Sequence, residues 1–189
     1  MKHIAIFASG EGTNTQHLIE HFKGSDIQVA LLVCNNPNAN VLNRVQPYNI
    51  PSILIDREIF YNSDSVLKKL QETQTDLIVC AGFLWKIPDN ILHAFPDKVV
   101  NVHPALLPKF GGKGMYGLNV HKAVLAAGDK VSGITIHYLN EHYDEGKIIL
   151  QKKCEVSAND TPEVLAKKVQ MLEYEYFPEV VEELLEQQP

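Results

Sequence analysis

Strand-length apolar runs that alternate with helical patterns through the first half of the chain predict an α/β fold, an open and mostly parallel twisted sheet with helices on both faces. Two further observations support this class. The runs are nearly continuous in apolar residues, as strands buried on both faces are. The first of them ends in the glycine-rich turn Ala8-Ser9-Gly10-Glu11-Gly12-Thr13-Asn14, directly before a helical stretch.

Taken in order, His3 to Ala8, Gln28 to Cys34, Ser52 to Ile55, Asp76 to Cys80 and Val99 to His103 read as strands. Between them, Thr15 to Phe22, Ala39 to Tyr48, Ser63 to Glu72 and Pro88 to Ala94 carry helical spacing or helix-start residues. A glycine-rich stretch follows, then a helix over Asn119 to Ala127 and strands over Gly133 to Leu139 and Ile148 to Glu155. Thr161 followed by Pro162 opens a long closing helix, because threonine caps orphan N–H groups and proline suits the first helical position.

The 189 residues are long enough for one well-buried domain and too short for two of typical size, so residues 1–189 are read as a single domain. With 45% hydrophobic and 21% charged residues the composition is ordinary for a globular chain, and disorder is expected only at the Glu186-Gln187-Gln188-Pro189 end. A net charge of -6 with two arginines, Arg44 and Arg57, lacks the basic footprint of a nucleic-acid binder and points to a small-molecule partner. Cys34, Cys80 and Cys154 lie in or at the ends of apolar runs without metal-ligand spacing and read as core thiols. The chain opens on a strand rather than a leader and has no run of eighteen apolar residues, so neither export nor membrane insertion is expected and the compartment is read as cytoplasmic. Oligomeric state is left open, a homodimer included.

Ligands of such sheets sit at the carboxyl ends of the strands. The turn Ser9 to Asn14 supplies free N–H groups, close approach and a positive dipole end, which suit a phosphate. The third glycine of a dinucleotide motif would fall at Thr15 and no Gly-Lys-Ser/Thr follows, so a phosphate monoester is favoured. The bland alternative is a tight turn with Thr13 or Asn14 as helix cap.

The stretch Asn101-Val102-His103-Pro104-Ala105-Leu106-Leu107-Pro108 carries the chemistry. Phe95-Pro96-Asp97 breaks the chain before Val99-Val100, so Asn101 and His103 stand two residues apart on one strand face. An amide donor beside a protonated imidazole is what an oxyanion needs, and the carboxylate of Asp144, in Asp144-Glu145-Gly146, would keep that ring charged. Acyl or one-carbon transfer follows, with no metal: His17 and His21 stand four apart but lack a carboxylate ligand in register except Glu20, and read as a surface pair.

Together, Ser9-Gly10-x-Gly12-Thr13-Asn14, Ala81-Gly82-Phe83, Asn101-x-His103-Pro104-x-Leu106-Leu107-Pro108 and Gly133-x-Thr135-Ile136-His137 through Asp144-x-Gly146 resemble the phosphoribosylglycinamide formyltransferases in order and spacing over nearly the whole chain. The resemblance implies a Rossmann-like formyltransferase fold and transfer of a formyl group from 10-formyltetrahydrofolate, the co-substrate, to the glycinamide amine in purine biosynthesis. By the same resemblance Asn101, His103 and Asp144 are the catalytic set. Gly12, Thr13 and Asn14, with Pro104, Gln170 and Glu173, belong to the ribotide, and Leu84, Trp85, Lys86 and Ile87, with Asn101, to the folate. Residues of about 1–100 then form a phosphate-binding half, and about 101–189 a catalytic and folate-binding half. Trp85 and Lys86 stand where relatives often carry an arginine, and the arginine sometimes found near Ser63 is absent; Lys86 offers a point charge without the arginine fork.

Gly111, Gly112, Gly114 and Gly117, just downstream of His103, read as a mobile lid. The closing helix carries the apolar stripe Leu165, Val169, Leu172 and Tyr176 with Glu173 on its edge. Rival readings are another folate formyltransferase, such as the methionyl-tRNA enzyme, or formyltetrahydrofolate hydrolase, both of which typically carry an extra domain. From a different class, a non-catalytic nucleotide-binding protein would have no use for Asn101, His103 and Asp144 together.

Overall fold

The computed structural model describes residues 1–187. In chain order its elements are β1 (Lys2–Ala8), α1 (Thr13–His21), β2 (Ile27–Cys34), α2 (Val41–Val45), a 3-10 turn (Gln46–Tyr48), β3 (Ser52–Leu54), α3 (Arg57–Asn62), α4 (Ser65–Glu72), β4 (Leu77–Cys80), α5 (Asp89–Ala94), β5 (Val99–His103), α6 (Leu118–Ala126), β6 (Val131–Tyr138), β7 (Ile148–Glu155) and α7 (Pro162–Glu186). The strands form one sheet in the order β3-β2-β1-β4-β5-β6-β7. Strands β1 to β5 run parallel, while β6 and β7 are added antiparallel.

Apolar continuity along the central strands has a direct cause in the packing. In β1, Ile4 and Ile6 face one core with Leu18 of α1, Val41 of α2, Val124 of α6 and Val181 of α7. Ala5 and Phe7 face the other, with Phe60 of α3, Leu70 of α4 and Ile91 of α5. Alternate side chains therefore point to two dry layers, and neither set can be polar. The edges differ: Ser52 and Leu54 of β3 are exposed, and β7 carries Lys152 and Lys153 on a half-exposed strand, which discourages pairing with another chain.

The helices depart from the sequence expectations in four places. Asp56 caps an unexpected helix, α3, by accepting from Ile59 N (2.7 Å); with only Phe60 buried, its six residues are too short to show a period. The helix expected over Ser63 to Glu72 begins at Ser65, because Ser63 is extended at the joint between α3 and α4. The helix expected over Ala39 to Tyr48 stays α-helical only from Val41 to Val45, since Pro47 has no N–H to donate and the chain tightens there into the 3-10 turn. The closing helix runs through Glu186, so the disordered end expected from there does not hold for Glu186 or Gln187, and Gln188 and Pro189 lie outside the described residues. Cys34 and Cys80 are buried as core thiols, with Cys154 half-buried on β7.

Two glycines set how β6 and β7 pack. A Cβ on Gly133 would fall on the carbonyl oxygen of Lys152, and one on Gly146 on that of Tyr138. Only glycine permits the return from β6 that carries Asp144. Gly146→Ala should therefore destabilise the protein by about 2 kcal/mol or more, whereas Gly10→Ala, with open space around the new methyl, should change it by less than about 1 kcal/mol. Urea unfolding of the two variants beside the parent checks this; equal midpoints would mean that the β6–β7 return adjusts freely.

Candidate active site

The chain reverses its direction of sheet growth between β1 and β4, and loops leaving their carboxyl ends diverge there. The two loops are tied together: Ser9 N donates to Gly82 O (3.1 Å) and Leu84 N donates to Ser9 Oγ (2.9 Å). The turn after β1 is thus held against the segment after β4, and β5 adds its own end beside them.

Antiparallel pairing sets Asn101 opposite His137 and His103 opposite Thr135. Asn101 Nδ2 lies 3.1 Å from His137 Nε2, and His137 Nδ1 lies 3.0 Å from Tyr138 O. A carbonyl can only accept, so Nδ1 carries the His137 proton and Nε2 accepts from the Asn101 amide. Burial pushes the His137 pKa below the usual imidazole value, in keeping with this neutral form. The Asn101 amide is thereby oriented, with a second N–H left over.

His103 is 4% exposed and its Nε2 lies 2.8 Å from Phe110 O, again a donor position. Its Nδ1 is 3.7 Å from Asp144 Oδ1, and the same oxygen is 3.7 Å from His137 Nε2. Both gaps are too long for hydrogen bonds, so the carboxylate faces the two rings without bonding either. Asp144 Oδ2 accepts from Gly112 N (2.8 Å), and Gly111 packs so that a Cβ would lie 2.6 Å from Leu107 Cδ2. The start of the glycine segment is anchored on the carboxylate rather than hanging free. Thr135, fully buried, donates to Ala105 O (2.7 Å) and accepts from Leu107 N (3.0 Å), bracing the stretch after His103. Half-buried Pro104 lies between them.

At the other end of the cleft, Gly12 is the N-cap of α1 with φ 73, where a Cβ would fall on Val41. Among the described residues no side chain caps this helix, so neither Thr13 nor Asn14 does so. Both side chains instead turn to α7: Gln170 Nε2 donates to Thr13 Oγ1 (3.1 Å) and Asn14 Nδ2 to Glu173 Oε2 (2.8 Å). Burial pushes the Glu173 carboxyl up to about 7, against the lowering effect of the Asn14 hydrogen bond.

A second part of the cleft is lined by Leu84, Trp85, Lys86 and Ile87 together with Asn101 and Asp144. Trp85 packs on Phe60 and Phe83, with the Arg57 guanidinium 5.0 Å from its ring centroid. Lys86 Nζ is 3.7 Å from Asp89 Oδ1, so its charge already has a partner. Leu84 is exposed and Ile87 buried.

Sequence reasoning did not single out His137, although the histidine stands in the Gly133-x-Thr135-Ile136-His137 run, where strand pairing with Asn101 was the clue. His121, on α6, is buried with no partner for Nδ1, and burial lowers its pKa. Arg57 over Trp85 left no trace in spacing. His17 stacks on Tyr174 (4.7 Å) and His21 faces Glu182 (3.9 Å), each engaged by α7. Among the described residues no group of three His, Cys, Asp or Glu could hold a metal ion, and no helix is long and apolar enough to cross a membrane.

Comparison with known proteins converges on one family. The family model described as formyl transferase matches residues 2–181. The chain is 36% identical to the phosphoribosylglycinamide formyltransferase of Bacillus subtilis, covering 98% of this chain and 95% of that one. It is 39% identical to the chloroplastic enzyme of Arabidopsis thaliana, of which it spans 66%. The crystal structure of the Bacillus halodurans enzyme superposes with a TM-score of 0.88 at 36% identity, covering 100% of this chain and 97% of that one, and the Anaplasma phagocytophilum enzyme with 0.86 at 31%, covering 95% and 85%. The order of strands, the tied loops after β1 and β4 and the Asn101, His103 and Asp144 cluster thus belong to a chain that is a member of the formyl transferase family, among its phosphoribosylglycinamide formyltransferases.

Proposed function

We propose that this enzyme transfers the formyl group of 10-formyltetrahydrofolate to the amine of 5'-phosphoribosylglycinamide, a step of purine biosynthesis. The observation that carries the reading is the convergence of Asn101 and Asp144 in one cleft lined by Leu84 to Ile87, with His103 3.7 Å from the Asp144 carboxylate. With it go small-molecule partners and a cytoplasmic setting.

When the amine attacks the formyl carbon, the carbonyl oxygen becomes an oxyanion and the nitrogen must lose a proton. The free N–H of Asn101, whose amide is oriented by neutral His137, is a preorganised donor for that oxygen. With Nε2 directed at the Phe110 carbonyl, His103 offers Nδ1, which carries a proton as well only in the imidazolium; Asp144 is the counter-ion on that side. Asp144, 3.7 Å from both imidazoles, can take the amine proton through a water and return one to the folate nitrogen as the oxyanion collapses and the bond between that nitrogen and the formyl carbon breaks. The ribotide phosphate sits at Gly12, Thr13 and Asn14 against the uncapped end of α1, flanked by Gln170 and Glu173, with Pro104 beside the reacting end. Leu84, Trp85, Lys86 and Ile87 border the folate.

The direct test is to incubate the protein with 10-formyltetrahydrofolate and glycinamide ribonucleotide and follow deformylated folate; release of formate without the amine would make it a hydrolase instead. Asn101→Ala and His103→Ala should each lower turnover on the order of a hundredfold with little change in stability. Near-parental turnover in either variant would remove that residue from the oxyanion site.

Glu173 supplies a pH test. Its folded pKa of about 7 stands above the ordinary 4.5, so its protonated form stabilises the fold fully below pH 4.5 and this contribution is lost as pH rises through about 7. The loss is at most about 3 kcal/mol, trimmed by the water that reaches this half-buried side chain. Glu173→Gln should gain stability relative to the parent between pH 5 and 8 in urea titrations, and parallel curves would show that the carboxyl is ionised throughout.

For the lid, hydrogen exchange over residues 109–118 should slow when both substrates are bound, most beyond Gly112, where the Asp144 anchor ends. Equal exchange with and without substrates would leave these glycines as turn residues.

A further inference from the structure

The turn that receives the phosphate in the foregoing reading is poor in positive charge. The side chains that meet at the start of α1 are Thr13, Asn14, Gln170 and Glu173, three neutral and one acidic, and Glu11 adds a largely exposed carboxylate beside them. A phosphate dianion at this place is met by N–H groups and the helix dipole alone unless a cation stands nearby. One does, and it comes from α2.

Arg44 uses each edge of its guanidinium differently. Nε donates to the main-chain carbonyl of Glu11 (2.7 Å), Nη1 donates to Gln16 Oε1 (2.6 Å), and Nη2 is 4.0 Å from Glu11 Oε2. The same helix holds the turn at two more points: Val41 N donates to Gly10 O (3.1 Å), and the Val41 side chain fills the space a Cβ on Gly12 would need. Asn40, its N-cap, donates to Glu11 Oε2 (3.2 Å). Gly10, Glu11, Gly12 and the first turn of α1 are thus gripped by Asn40, Val41 and Arg44 of one short helix and its cap, with Arg44 spanning both the turn and α1.

We infer that Arg44 is a positioning residue for the ribotide phosphate: its guanidinium locks the Glu11 carbonyl inward, so that the N–H groups of Gly12 to Asn14 face the ligand, and it neutralises the Glu11 carboxylate that would otherwise repel the phosphate. The inference rests on the phosphate reading above. A lysine cannot replace it, because one ammonium on a flexible stem cannot serve a carbonyl and an amide oxygen from two fixed directions.

The experiment compares glycinamide ribonucleotide with the riboside that lacks the 5'-phosphate, in the parent, Arg44→Met and Arg44→Lys. In the parent the ribotide should be strongly preferred. Arg44→Met should raise the ribotide KM about tenfold or more with kcat within about twofold, because a charge-assisted clamp is lost while the reacting groups stay in place. The riboside and 10-formyltetrahydrofolate KM should not move, and Arg44→Lys should recover less than half of the defect. An unchanged ribotide KM in Arg44→Met, full recovery by Arg44→Lys, or equal losses for riboside and folate would each overturn the inference. Should Arg44→Met fail to fold, a rise in the ribotide KM alone in Arg44→Lys supports the inference, and a parental KM there overturns it. A parent that uses the riboside as well as the ribotide overturns the phosphate reading itself, and the role of Arg44 with it.

Discussion

The antiparallel register of β5 against β6 is the constraint from which the site follows. Asn101 stands opposite His137 and His103 opposite Thr135. Because side chains alternate across a strand, a slip of one residue would bury the valines of β5 in the cleft and turn both polar groups into a core. The register is held from both ends: Leu139 N donates to Val99 O (2.8 Å), and Thr135 Oγ1 joins Ala105 O, Leu107 N and Gln151 Nε2 in one buried hub. The two glycines that let β7 and its preceding turn approach β6 complete the lock, and Asp144 arrives where it does because the chain can make that return.

Two histidines a few ångströms apart are thereby given different work. His137, desolvated and donating to a carbonyl, is a fixed neutral acceptor that aims an amide. His103 donates to the Phe110 carbonyl through Nε2, with the Asp144 carboxylate 3.7 Å from its Nδ1. The difference lies in the partners and not in the ring. Likewise Glu173, half-buried with its pKa pushed up to about 7, is a carboxyl that can remain protonated near neutral pH beside a site that we read as receiving an anion.

Much of this was legible in the sequence, and for definite reasons. Doubly buried strands have a composition of their own, so β1, β2, β4 and β5 stood out, and the Asn101-x-His103 spacing alone places both polar groups on one face. Short elements stood out less: α3 has one buried residue, and no period can be read from one. Partnerships across the sheet were not legible at all. That Lys86 is already paired with Asp89, that Arg57 covers Trp85 and that Arg44 reaches back to Glu11 depend on loops whose path no local pattern encodes. His137 was visible as a letter in a strand, but its task is defined only by what lies opposite.

The hydrogen bond between Asn14 and Glu173 joins residues 159 positions apart, the first turn of the chain and its last helix. In the order of synthesis the glycine turn leaves the ribosome well before the helix that flanks it. A nascent chain can therefore pair β1 with β2 and β4 long before it has anything to place over Thr13 and Asn14. That end of the fold needs α7 in place before it is whole, so a chain that has not finished folding does not present a finished pocket there.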